Sequence, residues 1–405
     1  MYYRQPRYYG DFQCIGSECA ENCCYGWRID WDKDEVDKIK NAPECPEKFR
    51  EMCDSVFKYN EKMNNYMVVF GENGKCPFLT EDSLCGIQRE MGAEYLSYTC
   101  AVYPRHYIIT DPAIYRYCNM SCREVMKKIL NDEKCMDLVN AQIKKEAPIK
   151  GGLFNSPERV KKHPEYKYII EIKEFFYEII ANKKLPLNTC IILGALAAQS
   201  LTKIVDRGEY DKIPEAIKTL RSQMHNPEQL KSIANIKTNY NIKLGVTDKL
   251  IREFFTSSLT DSFIDKGGRP NIDIYTLSEL LLVEEFQKNP FAWRNMALNL
   301  ILELNTPFKL EDSTIFENYS VFVLAYAFMR HNALTVVETN ARLGNHLSIN
   351  VQNTKVSLNV QNTIVSFSAA ISRMLCHNDE NQKNLLQRLK DFNMTSPAYL
   401  ALLVK

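Results

Sequence analysis

Hydrophobic and polar positions follow different patterns in the two parts of this chain. From about residue 150 onward the period is helical: Ile169, Ile172, Phe176 and Ile180 recur at steps of three and four with charged residues between them, which predicts an amphipathic helix over 168–184. Leu185-Pro186-Leu187-Asn188 breaks that pattern and is placed to cap a following helix, whose apolar run covers 191–201. Segments 277–286, 293–304 and 319–328 repeat the helical period. One stretch departs from it. Ser348-Ile349-Asn350-Val351-Gln352-Asn353-Thr354-Lys355-Val356 is nearly duplicated at once as Ser357-Leu358-Asn359-Val360-Gln361-Asn362-Thr363-Ile364-Val365, and its alternation predicts a small hairpin or an exposed loop. Two short copies are too few for a stacked repeat architecture, which needs about three units.

Before residue 150 regular periodicity is scarce. Residues 32–40 read as a solvated helix capped by Asp30 or Asp32, while proline, glycine and acidic turn residues such as Glu81 and Asp82 bend the rest into loops. The expected fold class is mainly α: a small irregular cysteine-rich domain over 1–140, then a larger α-helical domain over 150–405.

With 405 residues, 45% hydrophobic and 25% charged, the chain can bury one large core or two smaller ones. Its 51 basic and 50 acidic residues nearly cancel, so no overall field draws it to nucleic acid or an anionic membrane, and a partner must be recognised locally. The most apolar stretch, 189–198, is shorter than the roughly 20 helical residues that a hydrocarbon layer of about 30 Å demands, and reads as a buried helix. The opening MYYRQPRYYG has no apolar run after its arginines, so it does not read as a secretory signal, and a cytoplasmic location is the expectation.

Cysteine changes the picture most. Twelve of the 14 cysteines lie in the first third: Cys14, Cys19, Cys23, Cys24, Cys45, Cys53, Cys76, Cys85, Cys100, Cys118, Cys122 and Cys135. Cys190 and Cys376 sit in apolar or helical surroundings and read as small buried hydrophobes. In a reducing compartment a dense thiol set points to metal ligation or redox chemistry in preference to disulfides. Cys19 and Cys23 stand four apart, as do Cys118 and Cys122, a spacing that shares one face of a helical turn. Cys23 and Cys24 are adjacent, and neighbouring side chains point in different directions, so the two read as serving different roles.

No C-x2-C knuckle of the kind that marks structural zinc occurs, and His106 is the single histidine in the first 160 residues, read as a surface residue or one behind the ligands. Thiolate-only ligation at irregular spacing favours an iron-sulfur cluster, with a four-cysteine zinc site as the alternative.

The run Cys19-x3-Cys23-Cys24-x-Gly26-Trp27, then Cys76-Pro77-Phe78-Leu79, Leu84-Cys85 and Cys100-x3-Pro104-Arg105, resembles the bacterial cysteine-cluster family described as zinc- or iron-chelating. The opening Cys14-x4-Cys19, the long helical carboxy-terminal region, Phe316-Glu317-Asn318-Tyr319, Ser372-Arg373 and His377-Asn378 are similar to its flagellin lysine-N-methylase branch. The resemblance implies eight cluster cysteines, Cys14, Cys19, Cys23, Cys24, Cys76, Cys85, Cys100 and Cys122, with Cys45, Cys53, Cys118 and Cys135 outside the pattern. It also implies a 4Fe-4S cluster and transfer of methyl groups from S-adenosylmethionine to lysine amines of flagellin.

Such chemistry needs a neutral lysine amine, hence a site that depresses a lysine pKa by burial or nearby positive charge. Tyr95, Tyr98, Tyr103, Tyr107, Tyr115 and Tyr117 are candidates to line a channel, and Arg105 to hold a cofactor carboxylate in a two-pronged hydrogen bond. The plainer reading has these tyrosines packing the small domain and Arg105 paired with an acidic neighbour. No glycine-rich nucleotide-binding turn is present, since Gly151-Gly152 and Gly267-Gly268 lack a preceding strand. Neither Cys19-x3-Cys23 nor Cys118-x3-Cys122 completes the C-x3-C-x2-C of radical enzymes, because Gly26 and Val125 occupy the third positions. His163, His225, His331, His346 and His377 show no metal spacing and read as structural or solvent-facing. A metal-binding module without catalysis, or an electron carrier or metal-delivery protein, are the competing functional classes.

Overall fold

Thr314 Oγ1 accepts the Glu317 backbone N–H at 3.1 Å while the Glu317 carboxylate accepts the Thr314 N–H at 2.8 Å, a reciprocal cap that opens the helix Ile315–Arg342. Buried residues occupy nearly every face of this helix from Ile315 to Glu338, so it is a core helix enclosed by others. Leu187–Asp206, Ile272–Glu285, Val360–Cys376 and Pro397–Val404 pack around it. At Gly194 of Leu187–Asp206 the Tyr319 ring fills the space a side chain would take, and Tyr319 Oη donates to the Ile191 carbonyl at 3.0 Å. The computed structural model describes residues 1–19, 22–26, 29–61, 63–71, 74–142, 150–254, 263–264, 269–344, 348–351, 354–357 and 359–405.

The protein is mainly α, and the helices expected from periodicity are found. Residues 168–184 give a 3-10 turn and the helix Ile169–Ala181; 277–286 and 293–304 overlap Ile272–Glu285 and Ala292–Glu303; 319–328 is the middle of Ile315–Arg342. The run 191–201 belongs to Leu187–Asp206, which begins after Pro186, while the Asn188 side chain accepts the Thr189 N–H at 2.8 Å within the first turn. That helix and Ile315–Arg342 are long and apolar enough to cross a membrane by length and composition alone. Over its most apolar window, however, Ile315–Arg342 is 94% buried inside the protein, as core helices are.

The duplicated nonapeptide adopts two structures. Its first copy, with Ser357 at the start of the second, forms the antiparallel strands Ser348–Val351 and Thr354–Ser357, with Ser348 opposite Ser357. In the second, Asn359 caps the helix Val360–Cys376, its side chain accepting the Asn362 N–H at 2.9 Å. Apolar Ile364 and Val365 are buried in that helix, where the first copy has Lys355 followed by Val356, so tertiary burial outweighs local sequence.

Two compact units divide the chain: Asp11–His106, and Met1–Gly10 with Tyr107–Lys405. This differs from the division expected between 140 and 150, and the cause is strand pairing. Tyr2–Pro6 runs parallel to Ala113–Cys118, with Tyr2 opposite Ala113, and antiparallel to Leu138–Ala141, with Pro6 opposite Leu138. Those long-range partners tie both ends of the cysteine-rich segment into the helical unit.

Within Asp11–His106, Asn65–Val68 is the central strand between Asp30–Trp31 and Phe57–Asn60. The helix Lys33–Asn41 starts after Asp32, whose N–H reaches the Glu35 carboxylate at 2.9 Å, and Glu47–Val56 follows it. Trp31 meets Phe57 edge-on at 5.1 Å and Phe49 meets Phe78 at 5.4 Å, forming an aromatic core beneath the cysteine loops.

Candidate functional site

Short backbone bridges bring distant cysteines together. The Cys76 N–H donates to the Cys24 carbonyl at 2.9 Å and the Gly26 N–H to the Gly74 carbonyl at 2.9 Å, so residues 24–26 lie antiparallel to 74–76. The Asn22 amide holds this strand to the next loop, donating to the Ser83 carbonyl at 2.8 Å while its oxygen accepts the Cys24 N–H at 2.9 Å. Leu79 bridges Cys85, and the Gly86 N–H donates to the Phe78 carbonyl at 2.8 Å. A Cβ on Gly86 would stand 2.7 Å from Phe49 Cζ and 3.0 Å from the Phe78 oxygen, so glycine after Cys85 is a packing requirement. Cys100 sits in the short helix Tyr98–Val102, its N–H donating to Ser97 Oγ at 3.1 Å.

Five thiols consequently interact. Cys24 is held far above the ordinary thiol range by the hydrogen bond its thiol donates to Cys23 and by burial, with Cys76 and Cys85 adding to it. Burial pushes Cys100 up to about 12, with Cys85, Cys76 and Cys23 adding to it. Cys76 is pushed up to about 11 by burial, although its sulfur accepts the backbone N–H groups of Phe78 and Leu79. Cys85 is raised by burial against the N–H groups of Gln88 and Ile87. Backbone donors aimed at sulfur stabilise thiolate, while crowding among thiols opposes it; a cation among them would remove that opposition. Thiol sulfur is the donor type that thiophilic metals and clusters take. Among the described residues, no three histidine, cysteine or acidic side chains close to ligand spacing, so the set converges without forming a finished cage.

The other expected ligands lie elsewhere on the chain. Cys14 is exposed and its sulfur accepts the Gly16 N–H at 3.4 Å; Cys19 ends the 3-10 turn Gly16–Glu18. Cys122 belongs to the helical unit, at the start of the helix Arg123–Asn131. Cys45, Cys53, Cys118 and Cys135 are buried packing residues. The described residues include all 14 cysteines, and no disulfide joins any of them.

Arg105 donates to the Phe12 carbonyl at 3.0 Å and lies over the Phe12 ring at 5.2 Å. The tyrosines divide between the units: Tyr95 donates to Glu44 at 2.9 Å, whereas Tyr115 donates to Glu174 at 3.0 Å and Tyr117 is buried in the helical unit. His106 and His225 are exposed, and His163 stacks on Tyr166 at 4.9 Å. Trp27, Gly267, Gly268 and His346 lie outside the described residues.

Comparison with known proteins decides the family. Residues 173–403, more than half of the chain, match the FliB lysine N-methylase C-terminal domain. The chain belongs to the FliB lysine N-methylase family. It is 25% identical over 370 residues to proteins named Lysine-N-methylase from Salmonella choleraesuis strain SC-B67 and Salmonella typhimurium strain LT2, covering 84% of this chain and 87% of each relative. A protein of Salmonella muenchen named Flagellar biosynthetic protein FliU is 33% identical over 140 residues, 33% of this chain and 80% of that one. No solved structure matches.

Inside the FliB-family region, the residues that carried the resemblance act as anchors. Asn318 clamps the preceding turn, accepting the Leu310 N–H at 2.7 Å and donating to the Leu310 carbonyl at 3.0 Å. His377 Nε2 meets Ser121 Oγ at 2.9 Å, and Asn378 caps Asp379–Asp391 by accepting the Glu380 N–H at 3.0 Å. Ser372 donates to Glu303 at 2.7 Å, and this carboxylate also receives Asn299 Nδ2 at 2.7 Å, the Met120 N–H and the Cys376 thiol. Burial pushes Glu303 up to about 7 despite those donors. Lys173, fully enclosed, donates to Asn305 at 2.6 Å and is lowered to about 7 by burial. Sequence reading passed over both buried charges, although Glu303 between Leu302 and Leu304, one turn after Asn299, is a visible interruption of an apolar run.

Proposed function

We propose that this FliB-family protein is a cytoplasmic methylase that transfers methyl from S-adenosylmethionine to lysine side chains of flagellin, and that its cysteine-rich unit binds a 4Fe-4S cluster through Cys23, Cys24, Cys76, Cys85 and Cys100. The family match over 173–403 carries the methylase reading, and the relative named for flagellar biosynthesis supports a flagellar substrate. S-adenosylmethionine is the donor ordinarily expected of a methylase. For the cluster, the support is the all-sulfur donor set with backbone N–H groups directed at Cys76 and Cys85. Adjacent Cys23 and Cys24 divide their roles, so that four of the five thiols suffice for one centre.

In the transfer, the lysine nitrogen lone pair forms the new N–C bond while the C–S bond of the sulfonium breaks and its electrons return to sulfur, leaving a thioether. The amine must lose its proton before attack, which burial promotes by disfavouring the ammonium. When bound, an iron-sulfur cluster supplies a one-electron couple and a rigid junction between the loops at 23–26, 76–79 and 85–87.

Protein prepared without oxygen should transfer labelled methyl from S-adenosylmethionine to its flagellin and contain iron and acid-labile sulfide. Absence of transfer refutes the methylase reading, and zinc without sulfide refutes the cluster while leaving the thiol site in place.

A further inference from the structure

The helical unit contains a pocket of about 440 Å³ whose lining includes Tyr240, Tyr275, Trp293, Tyr326, Glu279 and Arg330. Its volume lies within the range of about 300–1,000 Å³ usual for small-molecule sites. The walls are aromatic: Tyr240 meets Tyr275 edge-on at 5.7 Å, and Trp293 meets Tyr326 at 6.4 Å and 89°. Between them Arg330 is paired with Glu279 and lies 5.6 Å from the Trp293 ring centre, while Tyr275 Oη donates to Glu279 at 2.8 Å. Arg330 and Glu279 keep 24% and 26% of their side-chain surface open, so both remain accessible to a ligand.

A narrow recess of about 10 Å³ shares Tyr275, Tyr326 and Arg330 with the pocket and is also lined by Lys243 and His331, leaving room for about one water. Lys243 lies 4.9 Å from the Tyr275 ring centre. His331 is 94% buried and its Nε2 has no hydrogen-bond partner, an unmet polar group beside the recess. Pocket and recess together are lined by the side-chain cations Lys243, Arg330 and Lys405 and by the carboxylate of Glu279. Burial and Lys243 hold His331 down to about 4, so it is uncharged at neutral pH. Glu279 stays ionised because Arg330 and Lys243 outweigh the burial that pushes it up.

We propose that this pocket binds the methyl donor, an amino-acid-bearing purine nucleoside, with Arg330 holding the carboxylate, Glu279 the ribose hydroxyls or the amino group, and the aromatic walls the purine. The assignment rests on the methylase reading above. A guanidinium fork suits a carboxylate, and aromatic faces suit a purine ring. An extended lysine side chain would leave most of this volume empty. The pocket residues from Leu187 to Arg330 all fall inside the stretch matched by the FliB methylase domain.

The test is equilibrium binding of S-adenosylhomocysteine and S-adenosylmethionine to the full chain, by calorimetry and by Trp293 fluorescence, with Tyr240→Ala, Arg330→Lys and Arg105→Ala variants. Tyr240→Ala and Arg330→Lys should each weaken binding about tenfold or more, with melting temperatures near that of the parent, while Arg105→Ala leaves affinity unchanged. Trp293→Phe should abolish the fluorescence response and keep saturable binding by heat. Parent-like affinity in Tyr240→Ala and Arg330→Lys, or loss confined to Arg105→Ala, overturns the placement while the methylase reading stands. Loss of flagellin-peptide binding alone in these variants gives the pocket to the substrate and overturns it equally. Failure of the unaltered protein to bind either nucleoside refutes the donor reading itself.

Discussion

Gly194 offers the most direct test of how the helical unit is packed. An alanine Cβ there would stand 2.0 Å from Tyr319 Oη, 2.5 Å from Cζ and 3.0 Å from Cε2, all within a fully buried ring. Forcing the ring aside costs about 1–3 kcal/mol by the usual penalty of overpacking, and losing the Tyr319 bond to the Ile191 carbonyl costs about 1 kcal/mol more. Alanine returns roughly 0.5–1 kcal/mol as the better helix former. Gly194→Ala should therefore lose about 2 kcal/mol, read by urea unfolding followed by circular dichroism, with the slope unchanged. In a Tyr319→Leu background, already weakened by about 2–4 kcal/mol through the lost ring, the same substitution should cost nothing further. A Gly194→Ala protein as stable as the parent, or an equal loss in both backgrounds, would refute the close approach as the cause.

Glu303 and Lys173 predict opposite pH dependences. Glu303 titrates near 7 when folded against 4.5 for the ordinary carboxyl, so the native state holds a proton that the unfolded chain has released. Stability should fall as pH rises from about 4.5 to about 7, by about 3 kcal/mol relative to Glu303→Gln, as measured by denaturant midpoints across that window. Lys173 titrates near 7 against 10.5, so the unfolded chain binds the extra proton and stability should instead fall as pH drops from about 10.5 to about 7. Lys173→Met should flatten that slope. In the cysteine-rich unit, Gly86→Ala should lower metal content without removing a sulfur, because its Cβ meets Phe49 and the Phe78 carbonyl; undiminished metal would show that the Cys85 turn need not be so tight.

Helices with an apolar stripe, such as Ile169–Ala181, were legible because burial on one face leaves a three-to-four-residue rhythm. The ends of Ile315–Arg342 were not, since a helix enclosed on all sides has no polar face to mark its length. Cys76 and Cys85 were legible as a pair through the proline and glycine beside them. The approach of Cys23 and Cys24 to Cys76 was not, because it depends on backbone bonds between segments 50 residues apart. Sequence reading also looked for aromatic and basic groups near the cysteines, whereas the pocket of Tyr240, Trp293 and Arg330 draws on residues from Leu187 to Lys405 carried by separate helices. Proximity of that kind is created by helix packing and leaves no local signature.

The pairing of Tyr2–Pro6 with residues 113–118 and 138–141 also sets an order of events on the ribosome. At about 5–20 residues per second, the intervening hundred or so residues take on the order of ten seconds to emerge. During that interval the whole of Asp11–His106 is available to fold while the opening strand of the nascent chain still waits for both of its neighbours. The thiol-bearing unit is thus made first, and the larger unit is closed only afterwards by a segment translated before either.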